Sequence, residues 1–241
     1  NTLIGTVTDG TDAVITLSNA AAATGDVDIS KYVLADGAQT FTLGAASQDV
    51  TTGAGAVVIN TGSVANITDA ALNGTAADSL KVIVNADTNI SAAVITGTGG
   101  AQDAAYAIDI AENADAITMT IAQNTLIGTV TDGTDAVITL SDAGTVTGDA
   151  DISKYVLADG GGTTFTLGDA GQDVTTGNGA DIINVAGLTA TGVFNTVNAD
   201  TIMLSTGANI ASVDGEGNGA GATLAANTLI LLKPAGTGAS V

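Results

Sequence analysis

The sequence predicts an all-β fold, a β-solenoid built from two tandem repeats, and three observations carry that expectation. First, Asn124–Ser141 repeats Asn1–Ser18 without a change, as NTLIGTVTDGTDAVITLS. The correspondence continues from Gly25–Gly37 to Gly148–Gly160, and from Thr40–Asn60 to Thr164–Asn184 after one inserted residue near Gly161. Second, short β-branched runs alternate with turns rich in Thr, Asp, Gly and Asn, the punctuation of all-β structure. Third, aromatics make up only 2% and the chain has a single proline, Pro234. Small aliphatic side chains suit stacked layers, and few prolines leave nearly every ladder donor in place. Tandem β-sandwiches are the alternative, since their size matches the repeat, but they normally bury an aromatic under longer strands. The repeats divide the chain into residues 1–123 and a shortened second copy, 124–241.

In chain order, Leu3–Val7, Ala13–Leu17 and Asp28–Leu34 read as strands separated by TDGTD and AATGD. Phe41–Leu43, Val50, Val57–Ile59, Val64–Ile67, Leu80–Val84 and Val94–Thr96 continue the series. The alanines of Thr68–Asp78 suggest a helical turn, which Gly74 keeps short. Tyr106–Ile110 and Ile117–Ile121 alternate strictly and read as half-buried strands. The second copy diverges after Asn184, and NTLI returns a third time at Asn227, leading into Leu231-Leu232-Lys233-Pro234 as a terminator or docking strand.

Charge narrows the functions. Against 25 acidic groups stand four lysines, with no Arg and no His, for a net charge of −21. Binding to nucleic acid needs clustered cations to displace counterions, so nucleic acid is excluded as a partner, and an anionic membrane surface is disfavoured likewise. No run approaches the roughly 18 apolar residues of a membrane span. Cysteine is absent, which removes disulfides and thiolate chemistry. Asn1 does not open a signal peptide, so a leader has been removed, export uses another signal, or the chain is part of a longer protein.

Except for Glu112 and Glu216 the acids are aspartate, whose short side chain suits turns and hard cations. Gly177-Asn-Gly179-Ala-Asp181-Ile-Ile-Asn184 carries the G-x-G-x-D-x-U-x part of a calcium nonapeptide. With the Cys-free, Gly/Thr/Asp/Asn-rich background, this stretch resembles the RTX-type proteins that bacteria export by type I systems, among them surface-layer proteins and large adhesins. The resemblance implies a calcium site at Asp181 with the backbone around Gly177 and Gly179, and a bacterial extracellular or cell-surface location. Thr176 stands in place of the motif's first glycine and the first copy has Val57 in place of the aspartate, so one isolated site is implied, not a ladder.

Asp26 with Asp28 and Asp149 with Asp151 are further candidate cation ligands, because alternate residues of an extended strand share a face. Asp9 with Asp12 and Asp132 with Asp135 form similar pairs. The competing reading makes all of these turn residues. Lys31-Tyr32 and Lys154-Tyr155 read as lysine stems lying over a strand beside tyrosines with their hydroxyls in water. Without His, Arg or Cys, an enzyme is not expected; a polysaccharide-binding or polysaccharide-cleaving β-helix is the alternative, using paired carboxylates. Threonine runs could also offer a hydroxyl face, though no T-x-T recurs at a fixed spacing. The expected function is structural: a calcium-stabilised surface layer, adhesin or filament, its partner another copy joined head to tail, with a cell-surface glycan as the other candidate partner. The internal junction, where Gln123 passes into Asn124, would be imitated between molecules.

Overall fold

A computed structural model describes residues 14–19, 21–68, 71–73, 79–84, 87–96, 106–110, 116–131, 136–197, 200–204, 209–214 and 228–231. Asp9, Asp12, Asp132, Asp135 and the opening NTLIGTV lie outside these residues. The fold is a β-solenoid with about 8 turns and 3% helix. It comprises two compact units, within Asn1–Ala136 and Val137–Val241.

The first unit contains β1 (Val14–Thr16), β2 (Ala22–Thr24), β3 (Lys31–Val33), β4 (Gln39–Thr42), β5 (Asp49–Thr51) and β6 (Ala56–Asn60). It continues with β7 (Ala71–Asn73), β8 (Ser79–Val84), β9 (Thr88–Asn89), β10 (Val94–Thr96), β11 (Tyr106–Ile110), β12 (Ala116–Met119), helix α1 (Ile121–Thr125) and β13 (Ile127–Thr131). One sheet has the order β1-β3-β5-β7-β10, and a second runs β13-β11-β8-β6-β4-β2. β9 and β12 pair with each other in parallel, with Ile117 opposite Thr88.

The second unit contains β14 (Val137–Leu140), β15 (Thr145–Thr147), β16 (Lys154–Val156), β17 (Thr164–Thr166) and β18 (Asp173–Thr175). After them come β19 (Ile182–Asn184), β20 (Thr189–Asn195), β21 (Thr201–Leu204), β22 (Asn209–Asp214) and β23 (Thr228–Leu231). Its strands alternate between two sheets, β14-β16-β18-β20-β22 and β15-β17-β19-β21-β23.

Pairing among the described strands is parallel, which rules out antiparallel sandwiches and accounts for the coil: consecutive strands feed opposite sheets and each pairs with its counterpart one turn on. The register stacks like on like. In the first unit one inward column runs Ala23, Phe41, Ile59, Val82, Ile108, Val130. In the second, Val146, Phe165, Ile183 and Ile202 repeat the pattern. Each fully buried aliphatic or aromatic side chain contributes roughly 1.5–3 kcal/mol.

The aromatics correct the expectation of an aliphatic core. All three tyrosines and all three phenylalanines are buried, and Tyr32 meets Phe41 at 4.7 Å between ring centroids as Tyr155 meets Phe165 at 4.8 Å. Two local expectations also change. Thr68–Asp78 holds no helical turn among its described residues but strand β7, because Ala71–Asn73 continues a ladder beside β5. Val64–Ile67 is no strand: Gly62 takes φ +62°, Val64 N–H closes a turn on the Thr61 carbonyl, and Asn66 makes only an isolated bridge to Asn89.

The helix sits at the end of the first repeat, where a strand reading had extended to Ile121. Thr120 caps α1 by accepting from the Gln123 N–H at 3.1 Å, while Gln123 Oε1 accepts from the Thr120 N–H at 2.8 Å, a complete capping box. The chain then enters β13, so the opening segment of the second copy pairs with β11 inside the first unit. For that reason the chain divides between the compact units at Ala136/Val137, beyond the repeat boundary.

Candidate functional site

The corners of the coil hold most of the polar chemistry. Gln48 is completely buried and spans two turns of chain: its Nε2 donates to the carbonyls of Asp26 (2.6 Å) and Ile29 (2.9 Å), and its Oε1 accepts from the Gly44 N–H at 2.7 Å. Gln172 repeats the arrangement with Asp149, Ile152 and Gly168 at 2.6, 2.9 and 2.7 Å. Gln123 makes the third instance, donating to Ile90 and Ala93 at 2.8 and 2.7 Å. The first two lie in the repeated SQDVTT and GQDVTT, which sequence reasoning aligned without giving the glutamine a role. The legible signal was a long neutral polar side chain between a glycine corner and a buried valine.

The candidate cation pairs sit in these same corners. Asp26 and Asp28 occupy a turn, not an extended strand, and Asp26 Oδ1 accepts from the Asp28 N–H at 3.1 Å. Asp149 and Asp151 reproduce this at 3.0 Å. The aspartate folds back on its own backbone because two residues of turn bring the amide within reach. The tyrosine hydroxyls, expected in water, are buried beneath these turns: Tyr32 Oη accepts from the Asp26 N–H at 2.7 Å, and Tyr155 Oη from the Asp149 N–H at 2.8 Å. Burial pushes the Tyr155 phenol well above its ordinary range, and the Tyr106 phenol likewise.

Other aspartates reach to a neighbouring turn. Asp36 Oδ1 accepts from the Ala54 N–H (2.8 Å), Asp87 from Ala116 (2.8 Å), Asp159 from Asn178 (3.0 Å) and Asp173 from Val193 (2.7 Å). Asp109 meets Lys81 in an ion pair at 2.5 Å.

Asp181 is buried, with 1% exposed, and so is Asp200. Asp181 Oδ1 accepts from the Thr163 N–H at 2.6 Å and its Oδ2 from the Gly177 N–H at 3.0 Å. One turn on, Asp200 Oδ1 accepts from the Asp181 N–H at 2.9 Å and Oδ2 from the Thr176 hydroxyl at 2.8 Å. Burial raises the Asp181 pKa; the two amides oppose that shift, and the charges of Asp200 and Asp159 add to it. Gly177 and Gly179 are glycine because a Cβ on either would collide with the backbone of Ala158 or Gly161 on the preceding turn. Both Asp181 oxygens already serve amides, and the glycines are committed to turn-on-turn packing. No group of three or more His, Cys, Asp or Glu that could hold a metal occurs among the described residues. In the first copy the corresponding column is Gln39, Val57 and Leu80, so the acid column belongs to the second copy alone.

Two surfaces bear on ligand binding. Thr145 and Thr147 pair in register with Thr164 and Thr166, which places two T-x-T rows on adjacent turns; Ile182 and Asn184 end the rows. A groove of about 470 Å³ beside α1 is lined by residues including Ser91, Val94, Thr120, Gln123 and Leu126, with no carboxylate in its wall. No protein-family model, curated protein or solved structure matches the chain.

Proposed function

We propose that the chain is a structural, extracellular component of a bacterial surface layer, adhesin or filament, in which copies join head to tail through parallel β pairing. The observation that supports this reading is β13. Its sequence lies within the segment that also opens the chain, and it adds to β11 as a continuing strand whose Val130 extends the buried column. A segment able to extend a sheet within one molecule is chemically able to extend it in another, since parallel edges present unpaired N–H and C=O groups.

Deleting Asn1–Val7 tests it. Light scattering and electron microscopy should show loss of assembly, while the far-UV spectrum and melting temperature stay those of the full chain. Normal filaments from the truncated protein would dismiss the proposal. Calcium is proposed as a counterion to the charge of −21 rather than as a ligand of Asp181, since divalent ions relieve self-repulsion. A chelator should lower the melting temperature; no change would exclude calcium.

The T-x-T rows favour a second reading, glycan binding by a monomeric protein. Retention on an insoluble polysaccharide, lost in Thr145→Glu and Thr164→Glu, is its expected signature.

A further inference from the structure

The sequence NTLI occurs three times, at Asn1, Asn124 and Asn227. β13 begins at the isoleucine of the second, Ile127, and β23 at the threonine of the third, Thr228. β13 is the last strand of its sheet in the first unit, and β23 is the last described strand of its sheet in the second. Two strands on from the repeat counterparts Ile59 and Ile183 stand β11 and β23, since Ile59 leads through Val82 to Ile108 and Ile183 through Ile202 to Leu229. β11 lies on β8 with Ala107 opposite Lys81 and Ile108 opposite Val82, and β23 lies on β21 with Thr228 opposite Thr201 and Leu229 opposite Ile202. β23 thus stands where β11 stands, as the platform that receives the next strand. On β11 that next strand is β13, with Ala107 opposite Thr129, Ile108 opposite Val130 and Asp109 opposite Thr131. Thr129, Val130 and Thr131 are the second-copy counterparts of Thr6, Val7 and Thr8.

We propose that β23 is the acceptor edge for the opening strand of a second copy, in one defined register: Thr6 opposite Thr228, Val7 opposite Leu229 and Thr8 opposite Ile230. The partner is another copy of this chain, and the contact is parallel. The register follows from period-two alternation, because a slip of one residue would turn Val7 from the side that continues the core to the side that faces solvent. This inference rests on the head-to-tail reading and specifies its contact.

The chain lacks cysteine, so introduced thiols report the register directly. Paired residues on adjacent strands are about 4.8 Å apart, within the span of a disulfide. Under mild oxidation the Thr6→Cys/Thr228→Cys protein should form intermolecular links between those two positions, identified by peptide mapping. Thr6→Cys/Leu229→Cys, displaced by one residue, should link about tenfold less. Links from Thr6→Cys to Ala107→Cys instead would mean that the incoming strand displaces β13, and would overturn the proposal. Assembly without the Thr6–Thr228 link would overturn the register while leaving head-to-tail association standing; no assembly would remove both. The far-UV spectrum and melting curve of each variant confirm that it has folded. Val7→Asp provides a test without cysteine: it should keep the fold and block assembly, because its counterpart Val130 is buried, and filaments from that variant would count against the contact.

Discussion

Gln172 satisfies three backbone groups with one side chain, so removing it leaves the Asp149 and Ile152 carbonyls and the Gly168 amide without their partner. Gln172→Leu should therefore cost about 3 kcal/mol, since each buried polar group left unpaired costs roughly 1–3 kcal/mol less what water recovers. Denaturant midpoints measure it, and Gln48→Leu should match. Asp181 has the opposite character. Its folded pKa is raised by burial, so the native state binds a proton more tightly than the unfolded chain. Stability contributed by that proton is largest below the ordinary carboxylate value and falls as pH rises through the raised folded value. Asp181→Val, which installs the residue of the first copy, should flatten this part of the pH profile but lower stability near neutral pH, because the Thr163 and Gly177 N–H groups lose their acceptor; parallel profiles for the two proteins would refute it.

Elements show what was legible in the sequence. Strand runs such as Val57–Ile59 and Tyr106–Ile110 carried their own alternation, and the structure bears these out as β6 and β11. Ala71–Asn73 could not be read as a strand from its own composition, because only the ladder beside β5 makes it one. Helix α1 was legible in Thr120 and Gln123, spaced as a capping box, but the strict alternation just before it hid the signal. At the candidate site, G-x-G-x-D was visible, whereas its use was not: a spacing motif does not tell whether the carboxylate faces a cation or the amides of an adjoining turn. Glycine substitution separates those roles. Gly179→Ala should destabilise by more than about 2 kcal/mol whether or not calcium is present, because its Cβ meets the Gly161 backbone. Gly160→Ala should cost only about 1–2 kcal/mol, since its space is open and only its φ of +88° is unfavourable.

At the scale of the molecule, the duplication set the expectation of repeated units, and the parallel coil explains how such units tolerate near-identity. Stacked turns contact chiefly their neighbours, so stability is close to a sum of turn and interface contributions. Local damage should spread unevenly as a result. Gln48→Leu is expected to raise amide exchange around Asp26–Ile29 and Gly44 more than in the second unit, and uniform acceleration throughout the chain would contradict that locality.

The glutamine corners also have a consequence for synthesis. The carbonyls of Asp26 and Ile29 are closed by Gln48, and those of Asp149 and Ile152 by Gln172, in each case by a residue that emerges later. A growing chain would complete its earlier bend only on arrival of the following one. The folding front would advance from the amino end like a zip fastener, its newest tooth always open.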